Sequence, residues 1–152
     1  MHILNFLDEA IALETAVASC YEEMGRMAAE ESTADRFLKL RDEENNHARV
    51  LGIGKDFVRK APDLFGATVM DEVELRAGLA FTRAILEELQ AGRLEFREAL
   101  TRIRDLEASY ERVHMATVVA IKDETLRDLF TRLSRDDRDH VTVLEEILSK
   151  SK

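Results

Sequence analysis

Residues 43–47 read EENNH and residues 136–140 read DDRDH. Each run is an acid pair followed, three residues after the second acid, by a histidine. On a helix, positions i and i+3 share a face, so the second acid and the imidazole can reach one point together. Chance is the first explanation to test, because 31 of the 152 residues are Asp or Glu. What surrounds the two runs decides the matter.

Both runs lie inside long amphipathic stretches with apolar residues three and four apart. The first helical stretch covers about 3–29, with Leu7, Ala10, Ile11, Val17, Ala18 and Met24 on one stripe. The second covers about 33–59 through Phe37, Leu40, Val50 and Leu51, and Ser32 or Thr33 is its expected N-cap. The third covers about 94–121 through Leu100, Ile103, Tyr110, Val118 and Ile121, and the fourth about 124–149 through Leu126, Phe130, Leu133, Leu144 and Ile147. Between the second and third stretches come Pro62, Gly66 and a shorter amphipathic segment that ends at Gly92. Asp71 with Glu74 reads as an acidic capping box for that segment, and Gly78 is an expected break in it. Short turns after the first and third helices make two antiparallel hairpins, and a long crossover joins them. That is the connectivity of ferritin-like four-helix bundles. The expected fold is therefore all-α. It is one domain over 1–152, with hairpin repeats at about 3–59 and 94–149 and a short extra helix in the crossover.

Composition agrees with one helical core. Hydrophobic residues make up 45%, a single Pro and six Gly leave long stretches unbroken, and 35% charged residues suit wet outer faces. A net charge of -9 is a poor match for phosphate backbones, so no nucleic-acid partner is expected. No apolar run approaches the roughly 18 residues of a membrane span. The N-terminal MHILNFLDEA lacks a basic start and a cleavage site, so it does not read as a signal peptide. Cys20 stands alone, which excludes an intrachain disulfide and a four-thiolate metal knot among these residues. A cytoplasmic protein with no membrane partner is the expectation.

A stripe that faces a core should be apolar, yet each of the four is interrupted by ionisable groups. Glu14 interrupts the first, Glu44 and His47 the second, Glu107 the third, and Asp137 and His140 the fourth. A carboxylate buried without a partner costs several kcal/mol, so such groups must neutralise, pair or bind a cation. Their spacings agree. Glu14 to Glu44 and Glu107 to Asp137 each span 30 residues, and Glu14 to His47 and Glu107 to His140 each span 33. The first hairpin maps on the second with an offset of 93, which also carries Phe37 to Phe130, Leu40 to Leu133 and Leu51 to Leu144. Residues equidistant from a hairpin turn sit at one height, and the midpoints fall near 30 and 123, in AAEEST and KDET. Each site residue then lies about 15 residues, or roughly 23 Å, from its turn. All six groups can meet at one level.

Four carboxylates carry a charge that two divalent cations cancel. One imidazole per ion among oxygen donors favours iron or manganese over structural zinc, which prefers closed sites rich in Cys or His. The same ligand set is the worked example for di-iron and di-manganese bundles: a Glu from each of two helices plus two Glu-x-x-His motifs. The competing reading is a bundle whose core polar groups pair without metal.

On the pieces LETAVASCYEEM with LRDEENNHARVL, and IRDLEASYERVH with LSRDDRDHVTVL, the chain resembles rubrerythrin-type members of the ferritin-like superfamily. The resemblance covers nearly the whole chain apart from the crossover. It implies two iron ions, with manganese as the alternative, held by Glu14, Glu44, His47, Glu107, Asp137 and His140. It implies a peroxidase-type oxidoreductase of oxidative stress that reduces hydrogen peroxide or dioxygen, working as a homodimer. Tyr21, seven residues after Glu14, repeats a rubrerythrin pairing in which the tyrosine hydroxyl holds a carboxylate; a core tyrosine with any available partner is the other reading. Three departures qualify the likeness. There is no four-cysteine rubredoxin module, so electrons would come from a separate donor such as a rubredoxin. Asp137 stands where Glu is usual, one methylene short for bridging two metals. The extra glutamate of the third helix is replaced by Tyr110, with Glu111 one place later.

Glu111 fits either a seventh ligand, a proton-handling group, or a carboxylate paired with His114 or a nearby Arg. His114 is the repeat partner of Tyr21, which suits a supporting role better than ligation. His2 reads as solvated, and Cys20, Met24 and Met115 as packing residues. Iron binding with ferroxidation, and a sensor or structural bundle without turnover, are the alternative functions.

Overall fold

Long stretches with few helix breakers and apolar residues at helical spacing fold as α-helices in the computed structural model. It describes residues 3–64 and 72–150, with the side chains of residues 64, 72, 110–120 and 126 outside that description. Among the described residues the helices are α1 (Ile3–Met27), α2 (Glu31–Lys60), α3 (Glu72–Gln90), α4 (Phe96–Ala120) and α5 (Glu124–Lys150), with one 3₁₀ turn at Pro62–Leu64. The protein is all-α. None of these helices is long and apolar enough to cross a membrane.

The turns fall where the repeat places them, at residues 28–30 and 121–123. α1 packs mainly on α2 and α4 on α5, giving two antiparallel hairpins; lighter contacts join α2 to α5 and α1 to α4. Arg36 of α2 bonds Glu146 of α5 at 2.5 Å, and further along His47 meets Asp136, so α2 and α5 run antiparallel. The crossover carries α3, which lies along α1 and also touches α4. Its inward stripe of Leu75, Leu79, Thr82, Ile85 and Leu89 is buried.

Two local expectations are corrected. α2 begins at Glu31, with Glu30 as N-cap and no side-chain capping bond, so neither Ser32 nor Thr33 caps it. The Glu30 carbonyl accepts the amides of Thr33 and Ala34 at 3.0 Å each. Tertiary packing overrides the preferred cap here: a Cβ on Gly25 would lie 3.5 Å from Phe37 Cβ, so the two chains are already in contact just beyond the turn. Gly78 does not break α3, which continues through it. A glycine in a helix interior costs about 1 kcal/mol, less than what burying Leu75 and Leu79 on either side returns at about 1.5–3 kcal/mol each. Gly92, in contrast, does terminate its segment. With φ +65 it takes the left-handed position after α3, the Gly92 amide bonds Leu89 O at 3.0 Å, and the Arg93 amide reaches back to Glu88 O at 2.9 Å. This is a Schellman ending. Asp71, Gly66 and His2 lie outside the described residues.

The core is continuous through both hairpins, and Phe37, Phe130, Leu51 and Leu144 are all buried within it. Gly54 sets the approach of α2 to α5. A Cβ there would meet the Phe130 ring at 2.9 and 3.0 Å. Gly54→Ala should therefore destabilise the protein by about 1–3 kcal/mol, the usual cost of overpacking a filled core. Denaturant unfolding measures this, and an unchanged midpoint would show that Phe130 yields freely.

Candidate metal centre

Each bundle helix brings acids or histidines to one level of the core. α1 supplies Glu14, α2 Glu44 and His47, α4 Glu107, and α5 Asp137 and His140. None of the six is more than 5% exposed. All six positions expected from the sequence are brought together, and the distances tie them across both hairpins.

His47 Nδ1 lies 3.3 Å from Glu44 Oε2, 3.7 Å from Glu14 Oε2 and 3.7 Å from Asp137 Oδ1. His140 Nδ1 lies 2.7 Å from Glu44 Oε1 and 3.8 Å from Glu107 Oε1. The imidazoles stack with centroids 5.4 Å apart and planes at 17°. Two groups of ligand atoms result, Glu14–Glu44–His47 and Glu44–Glu107–His140, each tight enough to hold a metal ion and both including Glu44.

Three of the atoms at the centre test whether pairing alone explains the site. Glu44 Oε1, His47 Nδ1 and His140 Nδ1 are buried and have no hydrogen-bond partner, although each has an ionisable neighbour within 4 Å. They converge on shared space, with Glu44 Oε1 2.7 Å from His140 Nδ1 and the other Glu44 oxygen 3.3 Å from His47 Nδ1. Leaving a buried polar atom unpaired costs about 1–3 kcal/mol, and a cation at the centre removes that cost for all three. The residues present fit a metal.

The outer side of each imidazole explains why the sequence runs begin with acid pairs. His47 Nε2 lies 3.3 Å from Asp136 Oδ2, and His140 Nε2 lies 3.1 Å from Glu43 Oε2. Glu43 and Asp136 are related by the same offset of 93. The second acid of each pair faces the centre, and the first holds the histidine of the opposite hairpin. An N–H donated outward to a carboxylate leaves Nδ1 to present its lone pair inward. Sequence reasoning missed these two residues; the signal was that the pair recurs, and not only its second member. Glu43→Ala and Asp136→Ala should each lower metal affinity about 10–100-fold, and each should act on the histidine of the other hairpin. Competition with a chelator would measure it, and wild-type affinity in both variants would remove the role.

Tyr21 is fully buried, and its hydroxyl donates to Glu107 Oε1. The phenol of the first hairpin thus grips a carboxylate of the second. Burial, then the charge of Glu107, push the Tyr21 hydroxyl well above its ordinary value, so it stays a donor. Cys20 is buried with its thiol 3.7 Å from Thr82 O, and burial followed by the charge of Glu23 pushes it up to about 12. It is a core residue. Met24 is buried as well. Glu111, His114 and Met115 lie within α4, with their side chains outside the described residues.

Protonation shows how much negative charge the site gathers. Burial, then the charges of Glu107 and Glu14, raise Glu44 well above the usual carboxylate range. Burial opposes the imidazolium of His47, but the Glu14 and Glu44 carboxylates outweigh it and push it up to about 11. His140 is driven the same way, its burial overcome by Glu107, Glu43 and Glu44. Glu43 is lowered, first by its hydrogen bond to His140. In the metal-free protein, protons occupy the role that cations would take.

Compared with protein-family models, characterised proteins and solved structures, the chain has no significant match.

Proposed function

We propose that the protein is a ferritin-like, carboxylate-bridged dimetal protein that binds two iron ions and reduces hydrogen peroxide or dioxygen with electrons from a separate donor protein, in the manner of the rubrerythrins it resembles. The observation that carries this reading is Glu44. It belongs to two buried ligand groups at once, with one oxygen toward each histidine. A structural ion pair has no need of a carboxylate divided between two imidazoles that share the same unpaired space.

Bound iron would supply two electrons, which with two protons reduce one peroxide to two waters. The residues do the rest. Glu44 would contribute a carboxylate oxygen toward each metal position, while Glu14 and Glu107 would each serve one side. Tyr21 restrains Glu107 through its hydroxyl. Glu43 and Asp136 orient the two imidazoles. The surrounding apolar residues of both hairpins keep bulk water away, which strengthens every charge interaction inside.

The test is anaerobic iron loading followed by rapid mixing with peroxide, with a reduced small electron-transfer protein as donor. Two irons per chain and stoichiometric donor oxidation are expected. Two irons without donor oxidation would replace the reductase reading by storage or sensing, and no bound iron would sink it altogether.

A further inference from the structure

We propose that cations reach the buried centre through the seam between α2 and α5, where Glu43 and Asp136 form the entrance and pass the ion inward beside His140 and His47. This rests on the dimetal reading above and adds the route by which its metals arrive.

A centre whose six ligands are all buried needs a way in. Along the bundle axis, apolar layers stand in the way. One turn to either side of the ligands come Leu40 and Leu51 on α2, and Leu133 and Leu144 on α5, all within the core. A divalent ion trades its hydration shell for charged oxygens readily, and for hydrocarbon only at great cost. The seam is lined differently. Arg36 meets Glu146 at 2.5 Å, Glu43 meets His140 at 3.1 Å and His47 meets Asp136 at 3.3 Å. Only beyond these do α2 and α5 close on each other at Gly54 and Phe130.

In the seam the wall is two side chains deep. The imidazole of His47 is 0% exposed and the Asp136 carboxylate outside it 44%; for His140 and Glu43 the figures are 1% and 38%. Each pair therefore spans the whole way from solvent to the centre, with a carboxylate oxygen in water at one end and Nδ1 among the inner ligands at the other. Two carboxylates at one mouth, on a chain of net charge -9, concentrate cations where the wall is thinnest between these two helices. A swing of either imidazole about its Cα–Cβ bond then joins the outer side of the ring to the inner one, and the half-exposed carboxylate can follow it. The doubled acid pair thus has one member for holding the ion and one for admitting it.

The experiment is stopped-flow mixing of metal-free protein with Co(II), uptake being followed by the absorbance of the histidine-bound ion; turnover is not needed. Glu43→Gln and Asp136→Asn each keep an oxygen that can accept the imidazole N–H and lose the charge. Each should slow uptake about 3–10-fold and the double variant about 10–100-fold, and the deficit should shrink as salt is added. Lys39→Gln should act in the opposite sense and speed uptake about twofold, because the Lys39 ammonium lies 3.6 Å from Glu43 Oε1 and offsets its charge. Asp105→Asn removes an exposed carboxylate from α4, two residues before Glu107, and should leave the rate unchanged. If the two carboxylates only orient the imidazoles, their variants will release Co(II) to a chelator faster but take it up at the parent rate, and the inference is overturned. Equal slowing by Asp105→Asn would overturn it too. No uptake by the parent would sink the dimetal reading itself, which is a distinct result.

Discussion

Glu44→Leu should abolish binding of both metal ions while making the metal-free protein more stable. The two effects have one cause. Glu44 is 1% exposed and lies among Glu14, Glu107 and two imidazoles, and it contributes an oxygen toward each histidine. Removing it takes a ligand from both positions, whereas removing Glu14 or Glu107 takes one from a single position. Affinity should therefore fall beyond detection for both ions, and not by half. In the metal-free state the same carboxylate is a burden, because burial and two like charges hold its proton on against its ordinary preference. Leu has a similar volume and needs no partner. Replacing buried ionic groups by well-packed apolar ones is commonly neutral or stabilising by about 1–4 kcal/mol where the remaining charges keep partners, as His47 keeps Glu14 and Asp137 and His140 keeps Glu107. Some of that gain is offset by His140, which loses its 2.7 Å neighbour, so a net gain of about 1–2 kcal/mol is expected. Metal analysis and urea unfolding in the presence of a chelator give both numbers. A variant that is metal-free and clearly less stable would assign Glu44 a structural role and remove the main argument for the centre.

This opposition also explains which parts of the molecule were legible in the sequence. Apolar spacing marks helices because each must bury one face, so the four long helices and the turns near 30 and 123 could be read directly. The site was legible for the opposite reason. Glu14, Glu44, Glu107 and Asp137 sit where the pattern demands apolar residues, and twice over at a constant offset. A feature that violates local consistency and repeats is a sign of function. Other features depend on partners distant in the chain. Nothing near Ser32 or Thr33 announces that Phe37 packs beside Gly25, so the start of α2 was misplaced. The continuity of α3 through Gly78 depends on the apolar stripe it presents to α1. Glu43 and Asp136 carried no signal of a role beyond membership of the acid pairs, since what gives them one is a histidine on the opposite hairpin. That Tyr21 grips Glu107 was invisible for the same reason, although a grip on some carboxylate was one of the two readings its place after Glu14 offered.

The same crowded charges set a pH dependence whose sign differs between the metal-free and metal-loaded protein. His47 has a folded value raised to about 11, and His140 is raised in the same direction. A raised group holds its proton more tightly folded than unfolded. Its contribution to stability is fully present below the unfolded value of about 6.5 and is lost as pH rises through the folded value. Glu44 is raised too, so its share is likewise largest in acid and declines as pH rises. Glu43 opposes them on the acid side: its value is lowered, so its contribution is present above the unfolded carboxylate range and is lost as pH falls through the folded one. The metal-free protein should therefore be most stable in mildly acid solution and lose stability steadily from about pH 6.5 up to about pH 11. Metal acts in the other direction. Loading must displace the protons on His47, His140 and Glu44, so roughly three should be released when both positions fill, and affinity should climb with pH. The gain in melting temperature on adding Mn(II) should grow across the range in which the metal-free protein weakens. Scanning calorimetry with chelator and with Mn(II), at a series of pH values, reads both trends in one experiment. A metal-induced gain that stays flat with pH would mean that no protons are displaced, and that the cation binds somewhere other than between these histidines.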